Sequence, residues 1–266
     1  MIVAGLDIGS VTSKAVLWDT EAAEVLAAAD RLTGWEPVRA GGECLDQALA
    51  EAGLARADLE GLIVTGYGRT LWQEGGRAVT EITCLARGAR EVVPQARRVF
   101  DVGGQDSKVL SLGADGQVAD FAVNDRCAAG TGRFLEMAAQ RLGMTVVELG
   151  PLAVEAKESV RLSSLCAVFA ESEVVGLLAQ GTERQRLARG LCEGVAQQLL
   201  HLAAGLPREG PVALMGGVAR NPGVVAALCR ALGEEVLVPD QPHLVVALGA
   251  ALLAGGGETD RGDKCV

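Results

Sequence analysis

The chain has 266 residues, 49% of them hydrophobic and 22% charged, with a net charge of −10 at pH 7. That apolar fraction excludes a disordered chain, which could not offset its conformational entropy. The acidic balance argues against a nucleic-acid binder, which presents a basic surface. Its 35 glycines are about twice the usual share of roughly 7%, and aromatics are only 3%, so the core is expected to be built from Ala, Val and Leu.

From the N-terminus the pattern predicts a buried strand, Ile2–Ile8, a turn, a second strand, Ser13–Trp18, and a short third one, Val25–Arg31. No basic-then-apolar leader precedes Asp7, so no signal peptide is expected. Residues 42–54 have helical periodicity, Leu62–Thr65 is a short apolar strand ended by Gly66-Tyr67-Gly68, and residues 80–93 read as a helix stopped before Pro94. The pattern then restarts: Val99–Val102, Lys108–Leu112 and Gln117–Val123 read as strands, with a hairpin turn at residues 113–116. Helices are predicted at about 130–142, 145–150, 170–180 and 184–205, followed by strand 211–215, helix 222–232, strand 235–238 and helix 243–254. Such alternation predicts an α/β fold. The apolar run from Leu244 to Gly257 is too short and glycine-rich to span a bilayer. A soluble, cytoplasmic protein with reduced thiols is the expectation.

The restart is an internal repeat. Asp7-Ile-Gly-Ser-Val-Thr-Ser-Lys-Ala-Val-Leu17 lies on Asp101-Val-Gly-Gly-Gln-Asp-Ser-Lys-Val-Leu110 with one residue deleted. Two similarly folded halves follow. In each turn, glycine lets backbone N–H groups approach an anion, and the acidic residue ending the strand can hold Mg²⁺. Gly9, Ser10, Thr12 and Lys14 supply donors at the first turn; Gly103, Gly104 and Gln105 supply them at the second, where Gln105 can also orient a water. A third glycine cluster, Met215-Gly-Gly-Val-Ala-Arg-Asn-Pro-Gly223, follows an apolar strand, with Asn221 as N-cap and Pro222 in the first helical turn.

Asp7–Lys14, Asp101–Lys108 and Met215–Asn221, with Gly249-Ala250-Ala251 behind them, resemble the phosphate, phosphate and adenosine motifs of the actin, Hsp70 and sugar-kinase superfamily. The resemblance implies two ribonuclease-H-like (actin-like ATPase) domains with a nucleotide cleft between them, binding ATP or ADP with Mg²⁺. Residues 1–95 and a returning C-terminal helix at about 243–256 would form the first domain. Residues 96–242 would form the second, and 257–266 a tail.

None of the seven cysteines is part of a C-x-x-C pair, which excludes zinc ribbons and thioredoxin-type pairs. Asn124-Asp-Arg-Cys-Ala-Ala-Gly-Thr-Gly-Arg-Phe places Cys127 before one helix, and Ser163-Ser-Leu-Cys-Ala-Val-Phe-Ala-Glu-Ser-Glu173 places Cys166 before another. The N–H groups of a helix start would favour a thiolate or a thiolate-ligated cluster at both. An iron–sulfur cubane wants four thiolates, so two copies of the chain would complete it. These segments, with Thr65-Gly-Tyr-Gly-Arg69 and Glu81-Ile-Thr-Cys84, resemble the ATP-dependent activators of 2-hydroxyacyl-CoA dehydratases, related to the ATPase subunits of benzoyl-CoA reductase. The resemblance implies a homodimer sharing one [4Fe–4S] cluster on Cys127 and Cys166 of each protomer. It implies ATP-driven transfer of a low-potential electron to a dehydratase or reductase, with ferredoxin or flavodoxin as donor and neither nucleic acid nor membrane as partner. Asp7, Asp101 and Gln105 fall on catalytic positions, and Gly9, Ser10, Thr12, Lys14, Gly103, Gly104, Gly216, Gly217 and Asn221 on nucleotide-binding ones. The rival expectations are a small-molecule kinase of the same fold without a cluster and an actin-type assembly protein.

Overall fold

The computed structural model describes residues 1–163 and 166–256; Ser164, Leu165, Cys265 and the rest of the 257–266 tail lie outside the described residues. The chain divides into two compact units, 1–94 with the C-terminal residues from 244, and 95–243.

In the first unit, β1 (Ile2–Ile8), β2 (Thr12–Asp19) and β3 (Glu24–Leu32) form an antiparallel meander, and β4 (Gly61–Thr65) and β5 (Arg77–Ala78) extend the sheet beside β1 in parallel. The order is β3-β2-β1-β4-β5. β1 is apolar along nearly its whole length because it is the middle strand and buried on both faces. Helix α1 (Pro37–Ala52) covers one face; it starts with Pro37 in its first turn and stops at Gly53 in the left-handed conformation (φ 70°). The core beneath it holds Leu6, Ile8, Leu17, Leu45, Leu49 and Trp72.

The other face is covered by α8 (Val245–Ala254), which packs on α2 (Glu81–Val92). α8 is apolar all round and almost wholly buried, as a helix with no solvent face must be. Small residues let the backbones meet. A Cβ on Gly5 would lie 2.0 Å from the Ala247 carbonyl oxygen, and one on Gly249 would lie 1.8 Å from the Cys84 carbonyl oxygen. Much of the glycine excess answers to such approaches, which a larger side chain would prevent.

The second unit repeats the topology. β6 (Arg98–Val102), β7 (Ser107–Leu112) and β8 (Val118–Asn124) are the meander, β9 (Val212–Met215) and β10 (Val236–Leu237) the parallel extension, and the order is β10-β9-β6-β7-β8. The β7–β8 hairpin closes at residues 113–116 with Gly116 at φ 76°. Where the first unit has only α1 between its third and fourth strands, the second has α3 (Gly132–Arg141), α4 (Val146–Glu155), α5 (Ala167–Ala179) and α6 (Arg184–Leu202); α7 (Pro222–Leu232) then links β9 to β10. The core is built on Phe100, Phe134, Leu135, Leu149, Leu191 and Leu214.

Most elements fall where the sequence puts them. Three helices run longer than expected: 42–54 becomes Pro37–Ala52, 170–180 becomes Ala167–Ala179, and 145–150 becomes Val146–Glu155, with Pro151 inside. A Thr145–Glu148 capping box fixes its start, and the carbonyl that Pro151 leaves without a helical donor belongs to Val147, 78% exposed and open to water. Among the described residues, no helix is long and apolar enough to cross a membrane.

Candidate functional site

Two strand–turn–strand hairpins carry most of the residues singled out from sequence. In the first, Gly9, Ser10 and Val11 join β1 to β2. The register sets Asp7 opposite Lys14, and Lys14 Nζ donates to Asp7 Oδ2 at 3.1 Å. Asp7 is only 5% exposed; Gly9, Ser10 and Thr12 are half-buried. A Cβ on Gly9 would meet the Thr12 carbonyl oxygen at 2.7 Å, so this turn closes only around glycine. Thr33, just past β3, braces it: its hydroxyl donates to the Gly9 carbonyl at 2.8 Å and its N–H to the Val11 carbonyl at 2.9 Å. Sequence reading did not single out Thr33, because nothing local links it to a turn so far upstream.

In the second hairpin, Gly103–Asp106 join β6 to β7, closed by the Gly103 N–H on the Asp106 carbonyl at 3.0 Å. Asp101 stands opposite Lys108, both buried, with Lys108 Nζ 3.8 Å from Asp101 Oδ2 and also paired with Asp106. Gln105 is exposed on the turn. The matched Asp–Lys cross-strand pairs are the structural form of the internal repeat.

The parallel strand beside each hairpin ends in one device. β4 runs into Gly66 (φ 87°) and β9 into Gly216 (φ 84°), each followed by a short 3-10 turn, Tyr67–Thr70 and Gly217–Arg220. A Cβ on Gly66 would lie 2.5 Å from Asp7 Oδ1, and one on Gly216 would lie 2.7 Å from Asp101 Oδ1. Both glycines therefore seat a chain end directly against a buried carboxylate. Gly66-Tyr67-Gly68-Arg69 is thus the first-unit counterpart of the third glycine cluster. The two differ one residue on. Tyr67 is 73% exposed, whereas a Cβ on Gly217 would meet nothing within 4 Å.

Asn221 caps α7: its Oδ1 accepts from the N–H groups of Gly223 at 3.0 Å and Val224 at 3.2 Å. Its Nδ2 is buried without a hydrogen-bond partner.

Among the six described thiols, Cys127 and Cys166 are exposed, Cys44, Cys84 and Cys192 are buried, and Cys229 is half-buried. Burial pushes the Cys44 thiol up to about 11 and those of Cys84 and Cys192 up to about 12, which keeps all three protonated and inert at neutral pH. Cys166 is itself the N-cap of α5. Cys127 is not at a helix start: α3 is capped by Thr131, and the N–H groups of Gly132 and Arg133 donate to the carbonyls of Gly103 and Gly104 at 2.9 and 2.8 Å. The expected helix-start donors at Cys127 instead tie its loop to the second glycine turn. Among the described residues, no group of three or more Cys, His, Asp or Glu side chains gathers as a metal site within one chain.

A family model described as the BadF/BadG/BcrA/BcrD ATPase family matches residues 4–254. The chain belongs to this family. It is 41% identical over 258 residues to the activator of lactoyl-CoA dehydratase of Anaerotignum propionicum, covering 96% of this chain and 97% of that one. It is 36% identical over 255 residues to the (R)-2-hydroxyglutaryl-CoA dehydratase activating ATPase of Acidaminococcus fermentans, covering 94% and 95%. The structure matches that of the activator of 2-hydroxyisocaproyl-CoA dehydratase from Clostridium difficile with bound ADPNP, with a TM-score of 0.91, 38% identity and 96% and 94% coverage. The two five-stranded sheets are those of the actin-like ATPase fold that the resemblance implied.

Proposed function

We propose that this member of the BadF/BadG/BcrA/BcrD ATPase family is an ATP-hydrolysing iron–sulfur reductase that passes a low-potential electron to a partner 2-hydroxyacyl-CoA dehydratase or related reductase. One observation carries the cluster half of this reading: the two thiols in the family-like cysteine segments are the two exposed ones among the six described. A thiol meant for packing is buried, as Cys44, Cys84 and Cys192 are. A thiol meant to share a group with a second copy must reach the surface, so this donor set fits a [4Fe–4S] cluster held by Cys127 and Cys166 of two protomers. When bound, that cluster supplies one-electron storage. Ferredoxin or flavodoxin in the cytoplasm is the matching class of donor.

The nucleotide half rests on the hairpins. Gly9, Ser10, Thr12, Gly103 and Gly104 present backbone and hydroxyl donors to phosphates, and Lys14 adds charge. Asp7 or Asp101 would hold Mg²⁺, directly or through water; Lys14 pairs with Asp7 and Lys108 with Asp101. Gln105, exposed on its turn, orients the attacking water. Gly216 and Gly217 offer flat backbone to ribose and base, and the buried Nδ2 of Asn221 is a donor still to be matched. The kinase expectation is set aside: the family is one of ATPases, and a kinase has no use for two surface thiols.

Anaerobic purification with iron and sulfide analysis tests the reading. The expected result is roughly four irons per two chains, lost in Cys127→Ser and in Cys166→Ser with ATP binding retained. An iron-free protein with full ATP turnover under strict anaerobiosis would refute it.

A further inference from the structure

The second glycine turn and the Cys127 loop are one hydrogen-bonded unit, although more than twenty residues separate them in sequence. Two sets of bonds join them, and a third ties the loop to the end of β8. The N–H groups of Gly132 and Arg133 donate to the carbonyls of Gly103 and Gly104 at 2.9 and 2.8 Å. Ser107, the first residue of β7 after the turn, is 2% exposed, and its hydroxyl donates to the Gly130 carbonyl at 2.8 Å. Asn124, its partner across the β7–β8 ladder, accepts from the Cys127 N–H at 3.2 Å and donates to the carbonyls of Cys127 and Ala129 at 2.9 and 3.3 Å.

The approach is close as well as bonded. A Cβ on Gly132 would come within 3.2 Å of both the Gly103 carbonyl oxygen and Gly104 Cα, and Gly130 holds a left-handed conformation (φ 82°) with its backbone against Gln198. The turn therefore has no slack against α3, and the loop has little against β7 and β8. A change in peptide orientation at Gly103 or Gly104 must break that residue's backbone bond from α3 or carry the start of α3 with it. Asn124 binds the Cys127 peptide on both sides, so it fixes the direction in which that thiol leaves the loop.

We infer that Ser107 and Asn124 are positioning residues through which the state of the Gly103–Asp106 turn sets the placement of the Cys127 thiol. This rests on the proposed function in one respect, that this turn holds nucleotide phosphate. Neither side chain touches phosphate or metal in that reading, so substituting them leaves nucleotide binding in place while loosening the thiol from the turn. Removing one buried hydrogen bond from Ser107, or three bonds from Asn124, is enough to weaken such a link, because coupling between sites is carried by contiguous bonded elements.

The test uses the full chain without iron, under reducing anaerobic conditions, and follows iodoacetamide alkylation of each cysteine by peptide mass spectrometry. Rates are taken without nucleotide, with Mg·ADP and with Mg·ADPNP, and nucleotide affinity is measured separately by calorimetry. In the wild type, Cys127 alkylation should differ about fivefold between nucleotide states, the lower range of site-to-site coupling. In Ser107→Ala and Asn124→Ala that ratio should fall below about twofold, with Asn124→Asp between, since it still accepts from the Cys127 N–H. Nucleotide affinity should stay near wild type, and Cys44 and Cys192 should stay unlabelled; labelling there in every nucleotide state would mark general loosening and overturn the positioning role. A wild type that binds nucleotide with no change at Cys127, or a Ser107→Ala chain that keeps the full ratio, overturns the inference and leaves the proposed function standing. A wild type that binds no nucleotide overturns the proposed function itself.

Discussion

Replacing Gly217 by leucine separates a binding role from a folding role at one backbone position. Its φ is not in the left-handed region, and a Cβ there would meet no atom of the chain within 4 Å. The fold therefore loses nothing, and the smaller entropy of the unfolded chain gives a gain of up to about 1 kcal/mol. Gly216, one residue earlier, is the contrast. It sits at φ 84°, and a Cβ would lie 2.4 Å from the Val102 carbonyl oxygen and 2.7 Å from Asp101 Oδ1. Left-handed strain and the clash together should cost Gly216→Ala about 3 kcal/mol, roughly 6–12 °C in Tm for a chain of this size. For Gly217→Leu the cost falls on the ligand: a side chain in the space assigned to ribose and base should weaken nucleotide at least about tenfold, or about 1.4 kcal/mol. The assay is thermal unfolding with and without Mg·ADPNP at about 100 times the wild-type Kd. There nucleotide stabilises the wild type by about 2.7 kcal/mol and a tenfold weaker variant by about 1.4 kcal/mol. A Gly217→Leu chain that keeps its stability and its full nucleotide shift would refute the placement of the adenosine at this turn.

Asn221→Asp keeps the oxygen that caps α7, removes the buried unpartnered Nδ2 and sets a negative charge at a helix start. The dipole gain of up to about 1 kcal/mol is opposed by the cost of a charged oxygen in the buried place of Nδ2, so the readout is nucleotide affinity measured by calorimetry, which should fall; unchanged affinity would exclude Nδ2 as a nucleotide donor. The raised thiols of Cys44, Cys84 and Cys192 give an alkaline prediction. From the ordinary thiol value of 9.0 up to about 11 or 12, the unfolded chain ionises before the folded one, so it binds fewer protons and stability falls as pH rises. Each thiol contributes about 1.4 kcal/mol per pH unit in that window. Denaturant titrations from pH 8 to pH 10.5 should show a shallower fall for Cys192→Ala than for wild type, and parallel curves would refute the assignment.

The fold was largely legible because its punctuation is chemical. Asn221 and Pro222 do at a helix start what their covalent structure dictates, and the Asp-to-Lys spacing of the repeat is the register of a tight hairpin; the ends of α1 at Pro37 and Gly53, by contrast, were missed by the expectation of 42–54. The candidate residues divide the same way. Turn residues and the cysteines are visible as local patterns, since each depends on neighbours a few positions away. What sequence could not give were bonds between distant segments: Thr33 on the Gly9 carbonyl, Ser107 on that of Gly130, Gly132 on that of Gly103. The Cys127 segment shows the cost. Small residues ahead of an amphipathic run predict a helix start, yet they do not reveal that its donors are taken by another turn. Gly66 was opaque for a related reason, because its meaning lies in the contact with Asp7 and in a counterpart at Gly216 that local alignment does not pair with it.

The two units share a plan and differ at two places. Their sheets share strand order, their buried Asp–Lys pairs share register, and their parallel strands end in glycines of the same conformation. Against that background two departures stand out. Tyr67 occupies the position that Gly217 leaves bare, so only the second unit offers open backbone after its parallel strand. Among the described residues, the segment between the third and fourth strands holds one α-helix in the first unit and four in the second, and the two exposed cysteines lie in the longer one. The same sequence of elements that braces a turn through Thr33 in the first unit braces it through α3 in the second, and there the brace leads on to Cys127. A duplicated fold with one half plain and one half extended needs no new scaffold to connect a glycine turn to a surface thiol. The connection follows from attaching the extra helices at the place where the turn was already held.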